Sequence, residues 1–253
     1  MALSLKFDTL ILDDVNVWEE STPSRLAVED YPRRHGSEVP LVAYLKPRTL
    51  RVSGRLVKTT EAALKTALEN LGQALTDKGL AKLQLRDDNR YVRAIKDGYS
   101  YSFDAGAAPA LSASFLIEFL AGDPFWYAAT ETTSDQGTIV ASPADFSITN
   151  NGKTKTPVRV EMTAVGADKT DVKLTNKTST LWMRFSGTIL QGQTLIMNTA
   201  NVRYPSRRVT NGSANGLNSF TGNFWLLETG QNNLRYEGPT NVGLKIYYTE
   251  RWP

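Results

Sequence analysis

From Asn150 onward, glycine and asparagine interrupt the chain every few residues and leave room only for short strands. Turn signals stand at Asn150-Asn151-Gly152, Val165-Gly166-Ala167-Asp168, Asn176-Lys177, Gln191-Gly192, Asn211-Gly212, Asn215-Gly216, Gly230-Gln231-Asn232-Asn233 and Glu237-Gly238-Pro239. Between them lie VRVEM, DVKLT, TLWMRF, TLIMN, FWLLE, LRYE and LKIYYTERW. Short apolar-alternating segments, separated by residues that accept positive φ, predict an antiparallel β-sandwich or jelly roll. The last segment, GLKIYYTERWP, either completes that sandwich or returns to the first half of the chain.

The first half reads differently. Leu64, Leu68, Leu71 and Leu75 fall at i, i+4, i+7 and i+11 and predict one helix over 60–78. Thr59 or Thr60 supplies the cap oxygen, Glu61 sits at the positive end of the dipole, and Gly79 follows where a left-handed residue is wanted. Strands flank the helix. Thr49–Val57 places Leu50, Val52 and Leu56 on one face, with Gly54 as a bulge or a close approach. KLQLRDDNRYVRAI reads as a hairpin, with Leu83 and Leu85 before the turn, then Tyr91, and Val92 and Ala94 on the other face. LSASFLIEFLA is apolar on both faces and therefore central or covered. The fold class expected is mainly β, with a single α-helix packed on an N-terminal sheet. A polar, small-residue stretch at 128–142 separates two domains. These are 1–133, a β-sandwich plus the helix 60–78, and 134–253, an antiparallel β-sandwich.

Composition excludes much chemistry. With no cysteine among 253 residues, no disulfide, thiolate nucleophile or cysteine-held metal is possible. The one histidine, His35, lies in the polar run YPRRHGSE, without the partners of a triad. The carboxylate pairs Asp13-Asp14, Glu19-Glu20 and Asp87-Asp88 are sequence neighbours, which point to opposite faces of a strand and do not oppose each other across a bond. No dinucleotide, P-loop, zinc or nucleophile-elbow motif is present. The expectation is a protein that is not an enzyme, with no catalytic, cofactor-binding or metal-binding residues and no cofactor. MALSLKFDTLILDD has neither the basic start nor the apolar run of a signal peptide or membrane span, so no membrane insertion is expected. Residues 133–253 hold 13 Lys+Arg against 8 Asp+Glu, a balance of +5, whereas 1–132 hold 16 against 18, a balance of −2. The basic residues of the second half (Lys153, Lys155, Arg159, Lys173, Lys177, Arg203, Arg207 and Arg208) are scattered as on solvated strand faces. Trp182 and Trp225, with Tyr236, Tyr247, Tyr248 and Trp252, are aromatics that stack on a sugar or fill a core.

EFLAGDPFWYA, 118–128, ends a strand and then sets Phe125, Trp126 and Tyr127 directly behind Asp123-Pro124. Pro124 stops ladder pairing, and Asp123 can accept from the backbone N–H groups just past it. Together with RTLRVSGRLVKTTEAALKTALENL, KLQLRDDNRYVRAI, GTILQGQTLIMNTANVRY and NFWLLETGQNNLRY, this segment resembles the distal tail proteins of siphophages, which form the hub of the tail tip or baseplate. The resemblance spans most of the chain. It implies a phage of Gram-positive bacteria and a structural virion protein made in the host cytoplasm and placed at the tail tip. It also implies a homo-hexameric ring built by the first domain and a galectin-like second domain pointing outward. One ring face would meet the major tail tube protein, and the other the tail-tip or tail fibre protein of the host-adsorption apparatus. DNA would pass through the lumen without specific binding. Gly54, Asp123, Pro124, Phe125, Trp126 and Tyr127 are the signature and candidate interface residues. The alternative is a carbohydrate-binding receptor-recognition protein acting through the second domain, with Trp182 and Trp225 as the stacking surfaces.

Overall fold

The structure, a computed structural model, describes residues 3–21, 24–25, 29–30, 37–38, 44–85, 89–104, 111–200 and 209–253. The chain divides into two compact units, Met1–Trp126 and Tyr127–Pro253.

In the first unit, six strands make one antiparallel ladder: β1 (Leu3–Phe7), β2 (Leu10–Ser21), β3 (Arg48–Val57), β4 (Ala81–Leu85), β5 (Arg90–Phe103) and β6 (Ser112–Ala121). Their order is β6-β3-β2-β1-β4-β5, and β5 pairs again with β6, so the ladder closes on itself. The expectation of two packed sheets is therefore corrected to a closed ladder. The reason lies in β6, whose central position was legible and which is bonded along both edges.

Register follows from which residues fit inside. Ala113, Phe115, Ile117, Phe119 and Ala121 of β6 stand opposite Leu56, Gly54, Val52, Leu50 and Arg48 of β3 and share their buried face. Phe115 needs a glycine across from it. A Cβ on Gly54 would lie 2.4 Å from the ring tip. On the outer face, Arg51 donates to Glu118 directly opposite at 2.7 Å. In the second hairpin Val92 pairs with Leu83, so Val92 and Ala94 share the buried face of Leu83. Tyr91, on the other side, is buried beneath the Lys82 ammonium, 4.3 Å from its ring.

The helix α1 spans Glu61–Thr76. Thr60 is the cap, its Oγ1 accepting from the Ala63 N–H at 3.2 Å. All four stripe leucines are buried, and Leu64 and Leu68 pack on Ala113 and Leu56. Gly79 has φ of +57°, two residues past the terminal Asp77. Gly72 gives the Tyr99 ring room to lie against the helix, where the Tyr99 hydroxyl donates to the Leu68 carbonyl at 3.0 Å. Desolvation there, with Tyr101 beside it, pushes the Tyr99 phenol up to about 12.

The second unit is an antiparallel sandwich. Its strands are β7 (Thr132–Ile139), β8 (Ala144–Asn150), β9 (Val158–Ala164), β10 (Lys169–Asn176), β11 (Leu181–Ile189), β12 (Thr194–Asn198), β13 (Val209–Asn211), β14 (Ala214–Asn215), β15 (Phe220–Gly222), β16 (Gly230–Glu237) and β17 (Val242–Tyr248). One sheet runs β7-β17-β9-β12-β13-β14 and the other β8-β16-β10-β11-β15. The inward residues alternate as read: Val158, Val160 and Met162 on one sheet meet Val172, Leu174, Met183 and Phe185 on the other in a single core. β17 pairs with β7 and β9, so Val242–Tyr248 complete the sandwich, whereas Arg251–Trp252 form a separate short strand beside Trp126–Ala128. The polar stretch at 128–142, expected as a linker, contains β7, an edge strand whose alternate polar residues face solvent.

One end of the sandwich is held by three buried asparagines. Asn232 donates to the Glu228 and Gly230 carbonyls and accepts from the Glu228 N–H; Asn176 donates to Asn232 and accepts from the Thr178 and Ser179 N–H groups. Asn150 donates to the Thr154 and Glu228 carbonyls and accepts from the Gly152 N–H. Side-chain amides thus satisfy backbone groups that a tight loop leaves without ladder partners. Beside them, the Lys153 N–H bonds the Arg251 carbonyl, and Glu250 accepts from Asn151. In the turns around β13 and β14, the N–H of Gly212 bonds the Thr194 carbonyl and that of Gly216 the Val209 carbonyl.

Replacing Gly54 by alanine forces the Phe115 ring out of its seat. The expected loss is about 1–3 kcal/mol of unfolding free energy in urea titration. Combining it with Phe115→Leu should recover part of that loss.

Candidate functional site

Strand β6 ends at Ala121, and the next residues turn sharply. The Asp123 Oδ1 accepts from the Phe125 N–H at 3.2 Å, the turn that this aspartate was expected to fix. Pro124 follows without an N–H, and the chain then enters a short strand at Trp126–Ala128. The three aromatics have separate fates. Trp126 is 7% exposed and lies under the Arg48 guanidinium, 5.6 Å from its ring centroid. Arg48 is itself buried, and desolvation lowers its pKa from the ordinary arginine value. Phe125 and Tyr127 are half-buried. The division between the units falls between Trp126 and Tyr127, so this run finishes one core and starts another unit.

Gly54 does not join this segment. It stands near the far end of the β3–β6 ladder, six residues from Arg48, roughly 20 Å along a strand. The signature residues up to Trp126 therefore serve two places in the first unit: a close approach inside the ladder at Gly54, and a turn with a buried tryptophan where the ladder ends.

In the second unit, Trp225 is 1% exposed within the core and is unavailable to a sugar. That corrects the expectation for this residue: the segment FWLLE alternates so that Trp225 and Leu227 face inward. Tyr236 and Tyr248 are also core. Their hydroxyls donate to the Pro239 and Thr149 carbonyls, and burial raises both phenol pKa values. Trp182 is half-buried on β11, opposite Thr175, with the Lys173 ammonium 6.0 Å from its ring and Gly222 packed against its edge. The Arg159 guanidinium covers the Tyr247 ring at 4.0 Å.

The basic residues of this unit are largely neutralised in pairs. Arg235 makes a two-pronged contact with Asp145 at 2.8 and 2.7 Å, and Arg184 one with Asp171 at 2.6 and 2.7 Å. Lys155 pairs with Glu228, Lys173 with Glu237, Lys177 with Asp145, and Arg159 with Glu131 and Glu161. The Arg235 guanidinium holds the Asp145 carboxyl down to about 2. Sequence reading missed these pairs because the partners lie up to 90 residues apart. They leave no continuous basic track for a nucleic-acid backbone among the described residues.

No group of histidine, aspartate or glutamate side chains able to hold a metal occurs among the described residues. The lowered carboxylates there (Asp8, Asp104, Asp135, Asp145 and Asp171) owe their shifts to surface hydrogen bonds and ion pairs. None of the described helices is long and apolar enough to cross a membrane. His35, Asp87, Asp88, Arg203, Arg207 and Arg208, and the side chains of Asp13, Asp14, Glu19 and Glu20, lie outside the described residues.

Residues 151–252 match the family model described as "Siphovirus-type tail component, C-terminal domain". The matched residues take up most of the second unit, Tyr127–Pro253. Over its whole length the chain has the fold of SPP1 Dit, described as "a Paradigm of Hub Adsorption Apparatus in Gram-positive Infecting Phages". That alignment covers 100% of both chains with a TM-score of 0.77 at 13% identity. Two structures of the phage p2 baseplate in its activated conformation, with calcium and with strontium, align over 99% of this chain and 98% of theirs. Their identities are 11% and 10%, with TM-scores of 0.49 and 0.48. No curated protein sequence matches.

Trp126→Ala should lower the stability of the first unit by about 3–5 kcal/mol, read as a drop in the chemical denaturation midpoint, and half-buried Phe125→Ala by clearly less. The Asp145–Arg235 pair has a sign for pH. The carboxyl titrates at 3.8 when free and at about 2 when folded, so its contribution is full above the first value and is lost as pH falls through the second. The stability difference between the protein and Asp145→Asn should therefore shrink as pH is lowered from 4 to 2, followed by urea midpoints.

Proposed function

We propose that this protein is a structural hub of a phage tail tip, present in the virion and made in the host cytoplasm. The observation that carries the reading is the match of fold over the complete chain to SPP1 Dit, joined to the tail-component match over residues 151–252. In this reading the first domain, 1–133, closes a homo-hexameric ring, and the second, 134–253, is a galectin-like sandwich that faces outward. One face of the ring meets the major tail tube protein, the other meets the tail-tip or fibre protein, and DNA passes through the lumen without sequence recognition. A ring of this kind needs two different patches on each protomer, related by a rotation that closes. Phe125 and Tyr127, each half-buried, suit partner anchoring better than Trp126, which the local core already uses.

The carbohydrate-binding alternative now rests on Trp182 alone, since it keeps part of its surface exposed. Loss of glycan-array binding in Trp182→Ala would favour it, and a silent array removes it.

Light scattering after size-exclusion chromatography tests the hub reading. A particle near six times the 28.0 kDa protomer, or a multiple of six, is expected. A strict monomer that also fails to bind a tail tube protein overturns it.

A further inference from the structure

Strand β2 is paired to β3 along only part of its length. From Val15 to Ser21 it ladders with β3, ending at the pair Val15–Gly54. Its other edge ladders with β1 from Leu10 to Val15, whereas Leu10–Leu12 have no pairing to β3 among the described residues. The register slips near the end of this pairing, between Val15 and Val17. Strand β3 runs on to Val57 and keeps its pairing to β6, but has no ladder partner on the β2 side among the described residues. The closed ladder is therefore slit at one end.

The direction of the unpaired backbone groups can be worked out. The Lys58 N–H bonds the Leu111 carbonyl, on the β6 side. Backbone groups alternate in an antiparallel ladder, so Leu56 also bonds toward β6, and the N–H and C=O of Arg55 and Val57 point into the slit. Behind the slit lies a groove of about 620 Å³, lined by Leu12, Leu56, Ala67, Leu71, Ala74 and Phe115. The rims carry Ile11 and Val57, which are 49% and 64% exposed. An apolar floor bordered by unpaired strand backbone suits one kind of occupant, an added strand: main-chain bonds supply affinity and alternate side chains fill the floor.

We propose that this slit receives an extended segment of a partner polypeptide, apolar at alternate positions and ending in a carboxylate. The carboxylate follows from charge at the mouth. The Arg55 guanidinium is already held by Asp104 and Ser112. Lys58 is exposed and has no ion-pair partner among the described residues. The open edge from Arg55 to Lys58 is about 13 Å long at roughly 3.3 Å per residue, so four or five residues of the partner fit it. Because β2 and β3 run antiparallel, the inserted strand lies antiparallel to one and parallel to the other. This assignment goes beyond the hub reading and stands on the first unit alone.

The test is amide hydrogen exchange on the full-length protein, with and without a synthetic seven-residue peptide that alternates valine and threonine and ends in aspartate. Without peptide, the Arg55 and Val57 amides should exchange about 100-fold faster than that of Leu56, which is bonded within the ladder. With peptide at about 1 mM, a level suited to a short unstructured strand, both should slow at least about tenfold. The same peptide ending in lysine should act more weakly, and Lys58→Glu should reverse that preference. Val57→Pro removes a donor that faces the slit and leaves the β6 ladder intact, so peptide protection should vanish while Leu56 stays protected. Arg55 and Val57 amides as slow as Leu56 in the free protein overturn the proposal, as does a peptide that slows neither. Slowing that grows with protein concentration in the absence of peptide would assign the slit to a second copy of this chain and also overturns it.

Discussion

Strand β6 is bonded along both edges, and the whole first unit depends on that double pairing. Its inward residues alternate with outward ones over ten positions, and each inward residue has a fixed partner across β3. A slip of one residue would turn Phe115, Ile117 and Phe119 to solvent and put Ser114, Leu116 and Glu118 inside. The seat of Phe115 over Gly54 makes the register unique, because no other position on β3 lacks a Cβ. Around that fixed pair of strands the ladder closes through β5, and α1 finds Leu56 and Ala113 already in place for its leucine stripe.

Much of this was legible in the residues. The leucine spacing gave the helix, its cap and its buried face, because helical period and capping are local. The apolar residues on both faces of LSASFLIEFLA point to a strand that is central or covered, and Gly54 to a bulge or a close approach, though Phe115 as the group approaching it was not legible. Closure of the ladder was hidden, since pairing of β5 with β6 depends on which edges meet in space. The strand at Thr132–Ile139 was read as linker because its outward residues are threonine, serine and aspartate, and an edge strand with one wet face carries little apolar signal.

The candidate interface was legible in part. The Asp-Pro turn was readable because an aspartate two residues before an N–H forms a local bond. The separate burial of Phe125, Trp126 and Tyr127 was not, because it depends on Arg48, seventy-eight positions upstream of Trp126. Trp225 and Trp182 look alike in sequence, each beside strand-forming neighbours, and only the face on which each stands separates a core residue from an accessible one. The asparagines at 150, 176 and 232 were read as turn letters. In space they are a connected set of amides that ties loops from three strands of one sheet.

The turns of the second unit also bear on how the protein ages. Asparagine followed by glycine is the pair most prone to lose its side-chain amide, because the nitrogen of the flexible glycine attacks the neighbouring carbonyl and closes a five-membered imide. This chain carries the pair three times, at Asn151-Gly152, Asn211-Gly212 and Asn215-Gly216. In each, the attacking nitrogen is already committed: Gly152 to the Asn150 side chain, Gly212 to the Thr194 carbonyl, and Gly216 to the Val209 carbonyl. The hydrogen bonds that shape these turns thus also slow a covalent clock.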